Sequence, residues 1–552
     1  MKKVLALSLC VAVTASSLLA GCSKKPEEKK PQYAKAAQSS IVTEAGTFPV
    51  TKEKSTLKVL IPQSTFVQDY TTNEFTKLYE EKTNVHVDWN IIAGSGDQIT
   101  QKISMILASG SDYPDVIISN LNKAQTVVYG TQGVLLPLNS FIDKYALHLK
   151  KAFAEDDFLR RSSIYTDGNI YFFPKLTYVY HQTLENKMWV NQSWMDKLGL
   201  KAPGTTDDFY QMLKAFKEKD PNGNGKADEV AMASQGVKGT NGMVRYLMSA
   251  FTTPEGYYVD NGKVKYAPAN PEYKDGLKYI KKLYDEGLIA KDSLTMDRKQ
   301  ITAMAETPGA SVLGASPALW YGMFTTNNAP SGRYKEYTSI PPVKGPKGVQ
   351  MSMARQENVG VLGVVTKSCK YPEIATRWID WFYSMEGNLT AAWGPEDKGW
   401  RKGKPEEKGI DGGPALYAYL GNQQFGQNQN AHWSSSVQAY ESVKFRMGLV
   451  ATDPNETEPR LYKETKEKYE KYKVDNGLPF LYMSEQDTQD SAQLDVLISK
   501  AWEEGLAQVI AAGKDVDKEW DTMIDNINKI GLKKSIDLRQ KAYDEYVKST
   551  KK

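Results

Sequence analysis

The order of strand and helix patterns predicts an α/β protein of two lobes, with mostly parallel sheets flanked by helices. The first observation is local. Leu57-Lys58-Val59-Leu60-Ile61-Pro62 reads as a buried strand, and a helix pattern with Phe75, Leu78 and Tyr79 on one face follows it. Residues 85–89 alternate like a strand, 99–108 are helical, and 115–118 form a short buried strand. That βαβαβ order argues for parallel strands covered on both faces, with a crevice at their carboxyl ends. The second observation is bulk. A chain of 552 residues with 41% hydrophobic and 25% charged content can bury a sizeable core, enough for two to four domains or one large two-lobed unit. The third lies near the other end, where Trp520, Ile524, Ile527 and Ile530 recur at helical spacing and Gly531 supplies the stop, the mark of a core helix.

Charge and cysteines narrow the class. Seventy Lys and Arg against sixty-six Asp and Glu leave +4, without the basic excess that a nucleic-acid binder needs. Lys2-Lys3 precede an apolar run over 4–19, too short to span a membrane, which ends in Leu19-Ala20-Gly21-Cys22. This four-residue box resembles the bacterial lipobox. The resemblance implies a signal peptide over 1–21 and a diacylglyceryl group on the thiol of Cys22. Residues 22–55 are rich in Lys, Pro, Glu, Gln, Ala and Ser, as a flexible tether would be. No later stretch reaches eighteen apolar residues, so the expected attachment is by lipid, on the extracytoplasmic face of the membrane. Cys369 is the one remaining thiol and reads as a small packed hydrophobe.

The same strands and helices carry a family likeness. Lys102-Ile103-Ser104-Met105-Ile106-Leu107-Ala108-Ser109-Gly110 followed by Tyr113-Pro114-Asp115-Val116 resembles the first-lobe signature of extracellular solute-binding proteins of ATP-driven sugar importers. Gly133-Val134-Leu135-Leu136-Pro137-Leu138 and Asp167-Gly168-Asn169-Ile170-Tyr171 extend it. Met188-Trp189-Val190-Asn191-Gln192-Ser193-Trp194 and Thr205-Thr206-Asp207-Asp208-Phe209 resemble the second lobe of the large oligosaccharide-binding branch, which includes alginate-oligosaccharide-binding proteins. The likeness runs from about 57 to about 546. It implies a periplasmic-binding-protein-like fold with the ligand cleft between the lobes. The expected division is 56–172 with 310–365 in the first lobe, and 173–309 with 366–552 in the second.

A loop directly behind an amphipathic helix carries the most specific chemistry. In Asp220-Pro221-Asn222-Gly223-Asn224-Gly225-Lys226-Ala227-Asp228-Glu229, oxygen side chains fall at places one, three, five and nine, with glycine at the sixth and a carbonyl, that of Lys226, at the seventh. This is the start of a calcium loop. The twelfth place is Ala231, so the usual bidentate glutamate is missing, and Asp228 with Glu229 must close the shell. The alginate-binding relatives share this truncated pattern, from which the resemblance implies a structural Ca2+ site over 220–229. A polar Asn-Gly turn without metal is the alternative.

Catalytic motifs are missing. His86, His148, His181 and His432 show no zinc spacing, and no nucleophile elbow or phosphate-binding glycine loop occurs. No enzyme is expected. Aromatic residues are abundant instead, with 11 Trp, 32 Tyr and 16 Phe. Sugar rings stack on such faces while polar groups hold their hydroxyls. Trp320-Tyr321, Trp393, Trp400 and Trp433 fall in Gly-, Asn- and Pro-rich surroundings and are candidate ligand contacts, each with core packing as its alternative. Gln63 and Asn120 follow the first and third strands, at the expected cleft rim, and Glu357 precedes a strand where relatives cross between lobes.

The resulting expectation is a monomeric, lipid-anchored binding protein that closes on an oligosaccharide and presents it to a membrane permease of an ABC importer. A surface polysaccharide-degrading enzyme and a sugar-sensing receptor for a membrane kinase are the rivals.

Overall fold

The computed structural model describes residues 40–552, apart from 95, 120, 240, 328–329, 421–427, 454–456 and 551–552. Cys22 and the segment before it therefore lie outside the described residues, as does Asn120.

The chain first lays down β1 (Ser55–Pro62), α1 (Glu74–Thr83), β2 (Val85–Ile92), α2 (Asp97–Ala108), β3 (Val116–Ile118), α3 (Lys123–Thr131) and β4 (Phe173–Thr177). It then crosses to a second sheet for β5 (Met188–Asn191), α4 (Thr206–Glu218), β6 (Val230–Met232), β7 (Leu313–Pro317) and β8 (Tyr337–Ile340). It returns for β9 (Gly360–Val365), α5 (Pro372–Asp380) and β10 (Tyr440–Glu441). A last crossing leads to α6 (Thr457–Lys468), and α7 (Glu485–Ile510), α8 (Val516–Ile530) and α9 (Leu532–Thr550) follow.

The first sheet has the order β10-β4-β9-β3-β1-β2 and the second β8-β5-β7-β6. β1 runs parallel to β2 and β3, and β10 parallel to β4, while β9 pairs antiparallel with both β3 and β4. In the second sheet β6 and β7 are parallel, and β5 is antiparallel to β7 and β8. Each sheet thus has one strand running against the rest, and in each it is the strand reached directly from the other sheet. A chain arriving from the facing edge can only enter where its neighbours end.

Two large cores match the two sheets. Val59, Leu60, Val116, Ile117, Phe75, Tyr79 and Trp378 belong to the first, and Phe209, Leu213, Phe216, Trp194, Trp502 and Ile527 to the second. Local rules explain the flanking helices. Asn73 caps α1 by accepting from Phe75 N at 3.0 Å, and Thr205 with Asp208 forms a capping box on α4. Gly314 in β7 has no Cβ because one would fall 2.6 Å from the Phe216 ring and 2.8 Å from Trp194.

Three expectations need correction. Residues 310–365 do not all join the first lobe, since β7 and β8 are strands of the second sheet. Conversely β4 lies in the first sheet, and Ile374, Trp378, Ile379, Trp433 and Tyr440, expected in the second lobe, pack in the first core. The expected tether also ends earlier than 55. Val50 and Thr51 are buried, Val50 N donates to Thr83 O at 2.9 Å, and the buried Arg377 guanidinium donates to Thr43 O at 2.7 Å, which docks this stretch on the first core. Cys369 is buried as expected. Among the described residues no helix is long and apolar enough to cross a membrane.

Candidate functional site

The strand directions place one edge of each sheet at the crossings. In the first sheet β1, β2, β3, β4 and β10 all end there and β9 begins; in the second, β6, β7 and β8 end there and β5 begins. Carboxyl ends of parallel strands are where α/β sheets bind ligands, because the connections leave open backbone and loops at that edge. The crossings are laced together. Residues 352–353 pair with 473–474, Ala354 N donates to Val474 O at 2.8 Å, and Arg355 N donates to Thr183 O at 2.8 Å. Lys187, fully buried in the first crossing, donates to His181 O at 2.5 Å and to Leu184 O. Burial drags its ammonium down to about 7.

Several expected residues stand at these edges. Gln63 follows β1, takes the Ile92 carbonyl on its backbone N–H at 2.9 Å, and spends its amide on Ser64 O and Val67 O at 2.9 and 2.7 Å, shaping the turn behind the strand. Glu357 precedes β9 and is half-buried; burial, with Glu185 and Asp156 nearby, raises its carboxyl above the ordinary range against the pull of Arg355. Trp320 follows β7 and is half-buried, its ring 5.5 Å from Tyr321. Trp393 ends a helix over Met385–Trp393 and follows no strand; it is half-buried and lies 4.2 Å from Tyr419.

Three aromatic candidates are corrected. Tyr321, Trp400 and Trp433 are completely buried. Trp433 donates from its indole to Thr76 Oγ1 at 2.8 Å and meets Phe75 edge-on at 4.7 Å; Trp400 donates to Thr390 Oγ1 at 3.2 Å. Tyr321 is packed against Trp189 and covered by the Arg460 guanidinium, 4.7 Å from its ring. Their Gly- and Asn-rich surroundings are loops, but loops folded back over a core, so the ring faces are already taken.

The sequence reading also missed residues. Tyr178 directly follows β4, and its hydroxyl donates to Asp156 Oδ2 at 2.8 Å, with Tyr440 OH 3.3 Å from the same oxygen. Tyr180 lies 4.7 Å from Tyr462 of α6. The rule that singled out Gln63 would have found Tyr178 and Tyr180 had the strand before them been recognised. Lys123, at the start of α3 behind β3, was missed although that strand was recognised, because no local pattern marks a lysine there as buried.

The acidic loop closes on itself. Asp220 Oδ1 accepts from Gly223 N at 2.7 Å and Asn224 N at 3.1 Å, and Oδ2 from Gly225 N at 3.0 Å. Gly223 and Gly225 have φ of 76° and 74°, which suits residues without Cβ. The amides of Asn222 and Asn224 converge on Asp228 at 3.1 and 3.0 Å, and Lys226 N donates to Asn224 Oδ1 at 2.8 Å. Glu229 Oε1 is buried with no hydrogen-bond partner, and its carboxyl is raised by burial and by the Asp220 and Asp228 carboxylates. Among the described residues no three His, Cys, Asp or Glu side chains gather at one point; this loop's oxygen set draws on asparagines and a carbonyl as well.

A two-sheet α/β architecture joined by crossings at facing strand edges defines a binding protein of the periplasmic type. The chain belongs to the bacterial extracellular solute-binding protein family, whose model matches residues 55–389. It is 28% identical over 552 residues to the fructooligosaccharide ABC transporter substrate-binding protein FusA of Streptococcus pneumoniae serotype 4, covering 97% of each chain. The structure of FusA in complex with kestose superposes with a TM-score of 0.72 at 25% identity, over 90% of this chain and 100% of that one, and an EF-hand mutant of FusA with a TM-score of 0.71, also at 25% identity and the same coverage. Lipoprotein LipO of Bacillus subtilis is 32% identical over 246 residues, 44% of this chain and 47% of its own. The polygalacturonan/rhamnogalacturonan-binding protein YtcQ of the same organism is 26% identical over 259 residues, 46% and 48% of the two chains.

Proposed function

We propose that this chain is the substrate-binding protein of an ABC importer, tethered to the membrane through Cys22, which closes its two lobes on an oligosaccharide and delivers it unchanged to a permease. One observation carries the reading: strands of both sheets end where the chain crosses three times between them, and the first two crossings are hydrogen-bonded to each other. Rotation about such crossings brings the edges together, and a ligand touching both edges favours the closed state by its better affinity for it. Trp320, Tyr178, Tyr180 and Trp393 offer ring faces, and Glu357 and Gln63 polar groups, in keeping with sugar recognition. The similarity to FusA over nearly the whole chain supports an oligosaccharide cargo, and that to LipO supports lipid anchoring. We read the chain as a monomer and not as an enzyme.

The loop over 220–229 fits Ca2+. The carboxylates of Asp220, Asp228 and Glu229, the amide oxygens of Asn222 and Asn224 and the carbonyl of Lys226 would hold it, and the orphaned Glu229 Oε1 is the atom it would satisfy. The ion would staple a turn and take no part in cargo binding.

The test is a calorimetric titration of the purified mature protein with oligosaccharides, with product analysis of the same mixtures. Saturable binding with unchanged chain length is expected. Shortened chains would establish an enzyme, and binding of peptides in place of sugars would overturn the cargo class.

A further inference from the structure

Lys123 is the first residue of α3, immediately behind the carboxyl end of β3 and so on the ligand-binding edge of the first sheet. Its side chain should reach solvent, yet the residue is only 7% exposed, and among the described residues its ammonium has no hydrogen-bond partner. What faces it is the ring of Phe480, 3.9 Å away. Phe480 belongs to the stretch that runs from the hinge strand at 473–474 to α7 of the second lobe. The same stretch holds on to the first lobe through Tyr482, whose hydroxyl donates to Ser162 O at 2.5 Å and whose ring meets Tyr165 edge-on. The contact between Lys123 and Phe480 is therefore made by a segment that links the two lobes and is docked on the first.

An ammonium carries three donors, and an aromatic face serves one of them at most. Buried ammonium groups are ordinarily paired with carboxylates, since an unpaired one forfeits its hydration. Here burial alone pulls Lys123 down to about 7, with no carboxylate opposing it. The group stands at the binding edge, faces an aromatic ring, and lacks both acceptors and a counter-charge.

We propose that Lys123 determines the specificity of the cleft by receiving a carboxylate of the cargo, so that the preferred ligand is an oligosaccharide containing uronic acid. This rests on the reading of the chain as an oligosaccharide-binding protein. A hydroxyl would supply an acceptor but leave the charge uncompensated; a carboxylate supplies both, in a charge-assisted hydrogen bond.

The test titrates the mature protein and Lys123→Met with galacturonate and mannuronate trimers, their methyl esters, which keep the shape and remove the charge, and kestose. One of the acid trimers should bind the natural protein at least about tenfold tighter than its ester and than kestose. Lys123→Met should lose that preference and, relieved of an unpaired buried cation, melt higher than the natural protein without ligand. A merely structural lysine would melt lower on substitution. Esters or kestose binding as tightly as the acids, or Lys123→Met keeping the preference, would overturn the inference while leaving oligosaccharide binding intact. Failure of every sugar to bind would overturn the broader reading and this inference with it.

Discussion

The guanidinium of Arg446 lies 3.3 Å from the carboxylate of Glu441, which is buried in the last strand of the first sheet. A second guanidinium nitrogen lies 3.3 Å from Glu458 in α6, and Glu458 is 3.7 Å from Nδ1 of the buried His181 in the first crossing. Sheet edge and crossing are thereby joined through one cation. Arg446→Met strands a buried carboxylate and should cost about 3 to 5 kcal/mol in denaturant unfolding at neutral pH. Adding Glu441→Gln to it should recover part of the loss, because the stranded charge is then gone. Equal stability of Arg446→Met and the natural chain would show that the pair does not bear load.

Burial separates two tryptophans that look alike in sequence. Trp433→Ala empties a packed site between Phe75 and Trp89 and should cost about 3 to 5 kcal/mol. Trp320→Ala, at the end of β7, should change stability far less and weaken sugar binding by about 1 kcal/mol or more. Parallel melting and titration of both variants decides it, and a reversal of the two effects would move the binding edge elsewhere.

For the acidic loop, a site of the extracellular calcium class has a Kd of about 10⁻⁴ to 10⁻³ M. Calcium at about 10 mM should then stabilise the fold by roughly 1.5 to 3 kcal/mol, and a chelator should remove that gain. Asp228→Ala should melt identically with calcium and with chelator, since it removes the carboxylate on which both asparagine amides converge.

His432 sets an acid limit. Its Nδ1 accepts from Ser434 N at 3.1 Å, and burial lowers the imidazole to about 4. The unfolded chain, with an ordinary value near 6.5, takes up a proton first on acidification. The contribution of this neutral histidine is therefore complete above pH 6.5 and is lost as the pH falls from there toward 4, by on the order of 2 kcal/mol. His432→Gln should flatten that part of the pH-stability curve; an unchanged slope would assign it to other groups.

Local pattern carried the sequence reading a long way. The βαβαβ opening over 57–118, the amphipathic helix before the acidic loop, the loop from Asp220 and the core stripe of Trp520 and Ile527 are each written in residues a few places apart, because one turn of helix or one pleat of strand decides them. Which sheet a strand joins is a different kind of fact. Met188 pairs with Pro317, and Val361 with Pro174, over more than a hundred residues, and nothing near 313–317 or 360–365 says which pairing wins. The same holds for ring faces. Trp320 and Trp433 sit in comparable stretches, and only the closing of the first core over Trp433 took its face away. By itself the sequence determined the opening elements, the metal-type loop and the family. Tertiary structure alone decided lobe membership, which aromatics remain reachable and that Lys123 is left buried without a counter-charge, because burial and pairing are set by residues far apart in the chain.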